Sequence, residues 1–204
     1  MPVPTVLLTG FEPFDGNQTN PSQQVVERLD RQIIGGASVV GMVLPVVFGE
    51  DTARVFPLIQ DMKPDLVLSL GLAAGATAIW VERIALNLRR PEEGGYQDAP
   101  IIPDGPAAYF ATLDTEAVSR AINTGGVPAF PHVYAGNYLC NHILYQSLHF
   151  AATQGLPYRA GFLHLPLSTE QVVAEGRVQQ PSLPLEAIVS GVTAAIAAAL
   201  GVSG

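Results

Sequence analysis

Cysteine and basic residues are scarce in this chain. Cys140 is the only cysteine among 204 residues, so an internal disulfide is excluded, and a structural zinc site would need its other ligands from four histidines and the carboxylates. Ten Lys and Arg residues against 18 Asp and Glu residues give a formal net charge of −8. Such a field repels the phosphates of nucleic acids and anionic lipid headgroups. We therefore expect no metal, no nucleic-acid partner and no membrane partner.

A long apolar run is also missing. No stretch approaches the roughly 20 apolar residues that span a bilayer, and the opening MPVPTVLLTGFEPFDG has neither the basic region nor the cleavage site of a signal peptide. These features predict a cytoplasmic protein. The length fits one domain, residues 1–204, and a composition of 48% apolar and 14% charged residues argues against disorder. So few charges also predict a surface partly covered in an oligomer.

Apolar runs alternate with helical patterns along the chain. This alternation predicts a three-layer α/β/α domain with a mostly parallel or mixed central sheet, whose sites collect at the carboxyl ends of its strands. The predicted strands are 2–10, 39–48, 65–71, 78–88 and 160–167. The predicted helices are 21–31, 50–62, 115–123, 137–154 and 185–200. Residues 89–109, rich in Pro, Gly and acidic side chains, are too long for an ordinary connection and are predicted to form a lid or an intersubunit arm.

Cys140 lies in GNYLCNHILYQS, near the start of a predicted helix. There the unpaired backbone N–H groups and the helix dipole favour a thiolate. Taken alone, a cysteine beside Leu139 and Ile143 is more often a buried structural residue, because cysteine behaves as a small hydrophobe. These residues alone leave both interpretations open.

A nucleophilic cysteine needs a base, and the chain offers four histidines. His142 and His149 are poorly phased with Cys140 on the predicted helix, whereas His132 lies in FPHVY, which we interpret as a loop. His164 ends an apolar run, FLHLP, which would carry it to the mouth of the sheet. We favour His164 as the base, with a core histidine as the alternative, and His132 stays open.

Glu82 lies within AIWVERIALNL, an apolar run that is predicted to be extended. Side-chain alternation then turns either Glu82 or Arg83 toward an apolar layer. A carboxylate there is costly unless it is paired, so we expect a specific partner; the alternative is a solvated Glu82 on an edge strand. Glu82, Cys140 and His164 could form a relay in which a thiolate attacks, an imidazole moves the proton and a carboxylate orients the ring, but their spacing alone does not establish it.

The loop TGFEPFDGNQTNP follows the first predicted strand. It has two glycines but neither glycine pattern of the nucleotide-binding loops, and Glu12 and Asp15 would repel phosphate, so a nucleotide site is excluded. Phe11 and Phe14 flank Pro13 and predict either an apolar wall for a small neutral group or a structural plug.

Several segments taken together resemble the pyrrolidone carboxyl peptidases, also called pyroglutamyl peptidase I. This family consists of cytoplasmic cysteine peptidases that remove an amino-terminal pyroglutamate from peptides. The matching segments cover nearly the whole chain in order: LLTGFEPFDGNQTNPS, VLPVVFGE, KPDLVLSLGLAAG with IWVERIALN, PAAYFATL, AGNYLCNHILYQSLH and GFLHLPLSTEQ.

The resemblance implies a catalytic triad. It assigns the nucleophile to Cys140 in YLCN, the base to His164 in FLHLP and the orienting carboxylate to Glu82 in VERIALN. It also implies a single α/β domain, neither metal nor other cofactor, and a homotetramer that acts on peptides with an amino-terminal pyroglutamate.

The resemblance further implies that aromatic side chains of the first loop hold the flat pyrrolidone ring. These would be Phe11 and Phe14, with Asn20 supporting the loop. The lactam carries no charged amine, so its site needs an apolar slot and a few hydrogen bonds. We expect backbone groups near Val46 and Val47 to provide those hydrogen bonds.

One position departs from the family. Where the family typically has Gly-Arg, this chain has Gly75 and Ala76, so a guanidinium expected beside the site is missing. Loss of an oxyanion donor costs on the order of 3 kcal/mol in transition-state stabilisation. The alternative function is therefore a catalytically impaired protein that binds pyroglutamyl peptides. A nucleoside phosphorylase on a related sheet is less favoured, because the phosphate-binding patterns are missing.

Overall fold

The computed structural model describes residues 3–90 and 99–201. Within these ranges the chain forms ten strands and six helices. The strands are β1 (Thr5–Phe11), β2 (Ile33–Ile34), β3 (Ala37–Leu44), β4 (Leu66–Leu72), β5 (Ile79–Leu86), β6 (Ala108–Phe110), β7 (Ala129–Tyr134), β8 (Arg159–Leu165), β9 (Leu167–Ser168) and β10 (Ser182–Leu183). The helices are α1 (Pro21–Leu29), α2 (Glu50–Met62), α3 (Thr115–Thr124), α4 (Leu139–Gln154), α5 (Thr169–Ala174) and α6 (Leu185–Ala199).

A mixed sheet forms the centre of the molecule. Its strands follow the order β2-β3-β1-β4-β8-β5-β6, and β7 also pairs with β5. The neighbours β3, β1, β4 and β8 are parallel, whereas β5 runs antiparallel to β8 and parallel to β7. The predicted mostly parallel or mixed sheet is confirmed. A small separate sheet joins β9 and β10.

Helices cover both faces of the sheet. Side chains of α1, α3 and α6, such as Val25, Val118 and Ile188, are buried in one core. Side chains of α2 and α4, such as Val55 and Ile143, are buried in a second core. The three-layer α/β/α architecture is therefore confirmed.

The central strands contribute to both cores in turn. In β1, Val6 and Leu8 lie in the first core and Leu7 in the second, as side-chain alternation requires. All residues of β4 are buried, and five of its seven residues are Leu or Val, as expected for a strand covered on both faces. None of the described helices has the length and apolar character needed to cross a membrane.

The predicted helices correspond to α1, α2, α3, α4 and α6, but β7 corrects one prediction. The segment around FPHVY was expected to be a loop, whereas Ala129–Tyr134 forms a strand parallel to β5. Pro131 is tolerated because a strand paired on one side does not need every N–H for its ladder. His132 is therefore part of the sheet, directly opposite Glu82.

The predicted lid or arm, 89–109, lies partly outside the described residues, which omit 91–98. The part that follows is tied to the end of β5. The Asn87 amide donates to the carbonyl groups of Ile102 and Gly105, and its oxygen accepts from the Ile102 N–H. A role as a lid or an arm stays a prediction.

Candidate active site

Cys140 lies in the first turn of α4, as predicted. The helix begins at Leu139 after Tyr138, whose side chain makes no capping hydrogen bond. The backbone N–H groups of a first helical turn have no partner within the helix, and they carry the positive end of its dipole. These groups therefore favour negative charge on the sulfur and on an oxygen bound next to it.

Gly71 on β4 leaves the space that the sulfur occupies. A Cβ atom on Gly71 would lie 2.7 Å from Cys140 Sγ and 2.7 Å from a ring carbon of Phe162. Gly71 also pairs in register with His164 on the neighbouring strand β8. The sheet thus places the sulfur over the two strands, one of which carries His164, and a larger residue at Gly71 would displace it.

Glu82 and His164 form a buried hydrogen bond. The distance between His164 Nδ1 and Glu82 Oε1 is 2.6 Å, Glu82 is fully buried and His164 is 9% exposed. A carboxylate only accepts hydrogen bonds, so Nδ1 carries the proton and Nε2 is left for another partner. The expected partner of Glu82 therefore exists, and the alternative of a solvated carboxylate is wrong.

The charge state of His164 reflects its neighbours. Burial alone would lower its pKa, but the charge of Cys140, a hydrogen bond with Cys140 and the interactions with Glu82 outweigh burial and raise the pKa to about 10. The imidazolium form is therefore stabilised at neutral pH between a sulfur and a carboxylate. An imidazolium held in this way has an Nε2 proton that it can donate to a neighbouring group.

Glu82 has a second histidine partner. His132 Nδ1 lies 2.9 Å from Glu82 Oε2, so each carboxylate oxygen accepts from a different imidazole. Sequence reasoning missed this contact because the prolines around FPHVY hid a strand. The contact between His132 and Glu82 follows from the pairing of β7 with β5, which is a property of the folded sheet and is not visible in the sequence.

These side chains open into a cleft of about 680 Å³. Within the described ranges, no group of three or more His, Cys, Asp or Glu side chains is arranged to hold a metal ion. The described lining residues are Phe14, Asp15, Val46, Leu72, Trp80, Glu82, Arg90, His132, Tyr134, Ala135, Gly136, Asn137, Tyr138, Cys140 and His164.

The residues predicted to bind substrate divide into two groups. Phe14 and Val46 line the cleft. Phe11 is buried in the core at the end of β1, and Asn20 caps α1 while its amide donates to the backbone of the preceding loop. Val47 is exposed and lies outside the described lining residues. Phe11 and Asn20 are therefore placed to support the loop that carries Phe14.

The other two histidines have partners elsewhere. His142 Nδ1 lies 2.7 Å from the buried Asp51 Oδ2, and His149 Nδ1 lies 3.0 Å from the Tyr109 hydroxyl. Neither histidine is among the described residues that line the cleft. The poor phasing of both with Cys140 is confirmed.

The model of one protein family, described as pyroglutamyl peptidase, matches residues 4–201. The chain belongs to the pyroglutamyl peptidase family. The pyrrolidone-carboxylate peptidase of Levilactobacillus brevis is 46% identical over 198 residues, which cover 95% of this chain and 96% of that protein.

Solved structures agree with this membership of the pyroglutamyl peptidase family. The crystal structure of pyrrolidone carboxyl peptidase from Pyrococcus furiosus matches with a TM-score of 0.90 and 41% identity, covering 97% of this chain and 98% of that one. The corresponding structure from Thermococcus litoralis matches with a TM-score of 0.90 and 39% identity, covering 97% and 94%. The chain is therefore a peptidase of this family, and a binding protein without activity is not favoured.

Ala76 leaves the pyroglutamyl peptidase site without the arginine that the resemblance led us to expect. Ala76 is buried in a turn, with its N–H donating to the Ala73 carbonyl. Arg90 does line the cleft, and its guanidinium carbon lies 3.5 Å from the centre of the Tyr138 ring. The cleft thus has a cation, held over an aromatic ring beside the start of α4.

Proposed function

We propose that this enzyme hydrolyses the peptide bond that follows an amino-terminal pyroglutamate, through Cys140, His164 and Glu82 and a covalent acyl-enzyme. The observation that carries the proposal is the buried Glu82–His164 hydrogen bond of 2.6 Å, in a cleft that Cys140 also lines. Relatives named pyrrolidone-carboxylate peptidase, at 46% and 42% identity over nearly their whole lengths, support the choice of substrate.

In the first half of the reaction, the Cys140 thiolate attacks the carbonyl carbon that joins pyroglutamate to the next residue. The negative charge that develops on the carbonyl oxygen is stabilised by the backbone N–H groups at the start of α4. The His164 imidazolium then gives its Nε2 proton to the leaving nitrogen. The C–N bond breaks, the peptide leaves with a neutral amine, and a thioester remains on Cys140.

In the second half, water replaces the peptide. His164, now neutral, takes a proton from the water as it attacks the thioester carbon, and the C–S bond breaks. Pyroglutamate is released and the thiolate–imidazolium pair returns. Glu82 stays ionised throughout, holding the Nδ1 proton and stabilising the imidazolium.

The cleft suits a small uncharged ring. Phe14 and Val46 add apolar surface to the cleft that Cys140 also lines, and Phe11 lies in the core beneath the loop that carries Phe14. A lactam enters such a part without an ammonium group, whereas an ordinary amino terminus would have to be desolvated there. Desolvating an unpaired ion costs several kcal/mol, so charged amino termini are disfavoured.

We expect selective turnover of a pyroglutamyl-aminocoumarin substrate over prolyl- and glutaminyl-aminocoumarin. Prolyl has a ring of the same size but a charged amine, and glutaminyl has the open-chain side group. A desolvation difference of about 3 kcal/mol corresponds to a kcat/KM lower by about 100-fold for both. Fluorescence release measures all three rates. Comparable rates for the three substrates, or calorimetric binding of pyroglutamate without any hydrolysis, would contradict the proposal.

The predicted location and assembly belong to the same proposal. A cytoplasmic location fits a chain whose one cysteine must stay reduced to act as a nucleophile. A homotetramer fits the exposed Phe130, Val133 and Tyr134 on β7, which has β5 as its described neighbour in the sheet. Absence of nucleic-acid and membrane partners follows from the net charge of −8.

A further inference from the structure

His132 is the second imidazole on the triad carboxylate. It lies on β7 in register with Glu82 on β5, and its Nδ1 is 2.9 Å from Glu82 Oε2. The His132 side chain is 29% exposed and lines the cleft, whereas the Glu82 side chain is 0% exposed. One face of the carboxylate is thus reached from the cleft through His132.

Both oxygens of a buried carboxylate need hydrogen-bond donors, because an unsatisfied charged group is costly inside a protein. Glu82 Oε1 accepts from His164, and Oε2 accepts from His132. These two bonds fix the rotation of the carboxylate about its last side-chain bond. Without the donor on Oε2, the group would turn or take up a proton, and the support for the His164 imidazolium would weaken.

The His132 ring is itself held in place. Its centre lies 4.5 Å from that of the Trp80 ring, with 26° between the planes, and 6.4 Å from that of Tyr134, with 19°. Trp80 also meets the edge of the His164 ring at 6.0 Å. A stacked aromatic side chain limits the ring rotation of His132 and keeps Nδ1 directed at Glu82.

We propose that His132 is a positioning residue for the peptidase reaction: its Nδ1–H holds Glu82 Oε2 so that Oε1 stays aligned with His164. The inference rests on the proposed function, since it assigns His132 a part in the same relay. His132 acts through Glu82, by donating its Nδ1–H to the carboxylate oxygen Oε2. Among the described residues, the other charged side chains that line the cleft are Asp15 and Arg90, and the guanidinium of Arg90 lies over the Tyr138 ring.

Two substitutions of similar size separate the hydrogen bond from the bulk of the side chain. The amide nitrogen of His132→Asn lies close to the original Nδ1 position, whereas His132→Leu has no donor. A third variant, His132→Gln, places its amide nitrogen nearer the original Nε2 position. His149→Asn is the control, because His149 bonds to the Tyr109 hydroxyl outside the cleft.

We expect His132→Leu and His132→Gln to lower kcat on pyroglutamyl-aminocoumarin by about 10-fold or more, with a smaller change in KM, as for other residues that orient a reacting group through its neighbour. His132→Asn should recover most of that kcat, and His149→Asn should match the wild type. Thermal midpoints report folding. If His132→Leu does not fold, the comparison of kcat between His132→Asn and His132→Gln decides: the Asn variant should be the more active of the two. Equal losses in the Asn and Gln variants, or wild-type kcat in His132→Leu or His132→Gln, would overturn the proposal.

A second readout does not depend on the substrate. The rate at which iodoacetamide alkylates Cys140 at pH 6 reports the thiolate that His164 and Glu82 stabilise. It should fall in the Leu and Gln variants and recover in the Asn variant. If the wild type fails to cleave pyroglutamyl-aminocoumarin, the proposed function fails. The ranking of the variants by their alkylation rates then decides the role of His132, and equal rates in all variants would overturn that role.

Discussion

Cys140→Ser is expected to lower kcat for pyroglutamyl-aminocoumarin by a factor on the order of 10⁶, as when a nucleophile is removed from a relay that acts as a unit. Serine has nearly the shape of cysteine, so the space beside Gly71 is filled as before. A serine hydroxyl, however, does not ionise next to an imidazolium, and the ion pair with His164 is lost. The binding of substrate in the cleft should change little, so KM is expected to stay near the wild-type value.

Thr153→Ser is the matched control for Cys140→Ser. Thr153 is exposed at the other end of α4, where its hydroxyl donates to the His149 carbonyl of the same helix. This variant keeps that bond and should keep the wild-type kcat. The sulfur would not be the nucleophile if the kcat of Cys140→Ser were within tenfold of the wild-type value and if the number of active sites counted in that preparation equalled the number of chains.

Glu82→Gln is expected to lower kcat by a factor on the order of 10⁴, as for the equivalent neutral substitution in other triads. Glu82 accepts from His164 on one oxygen and from His132 on the other. A glutamine accepts through one oxygen and presents an N–H₂ group to the second histidine. One imidazole must then change its tautomer or lose its bond.

The same change removes one of the influences that raise the pKa of His164. With the negative charge of Glu82 gone, burial, which lowers the pKa, is opposed mainly by Cys140, so the pKa of His164 falls from about 10. Glu186→Gln is the control, because Glu186 lies on the surface with its side chain 70% exposed and pairs with Arg28. Steady-state kinetics of both variants measure the effect. A Glu82→Gln enzyme with the kcat of Glu186→Gln would contradict the role of the carboxylate.

The fold could be predicted from the sequence where the signal is local. Strands buried on both faces, such as β4, form nearly continuous apolar runs, and α2 begins and ends at the predicted residues Glu50 and Met62. The edge strand β7 could not be predicted, because Pro131 and exposed side chains conceal it and its pairing with β5 depends on distant residues.

The triad residues could be predicted because each is unusual in its own segment. Glu82 is a charge in an apolar run, Cys140 lies in the first turn of a helix and His164 lies near the end of a strand, and the family resemblance joins the three. The separate roles of Phe11 and Phe14 could not be predicted from the sequence, because the two residues are near neighbours in the chain but have different surroundings in the fold. Phe11 is the last residue of β1 and faces the core, whereas Phe14 lies beyond the strand and lines the cleft.

The pH dependence of Cys140 alkylation by iodoacetamide tests the central claim most directly, namely that sulfur, imidazole and carboxylate form a charged relay. The pKa of His164 is raised to about 10, so its positive charge is present below that pH and is lost as the pH rises past it; while present, this charge favours negative charge on the neighbouring sulfur. We predict that the folded protein is alkylated at pH 6 much faster than the urea-unfolded protein, whose isolated thiol reacts appreciably only as the pH approaches about 8.5. Superimposable rate profiles for the folded and unfolded protein would contradict the account.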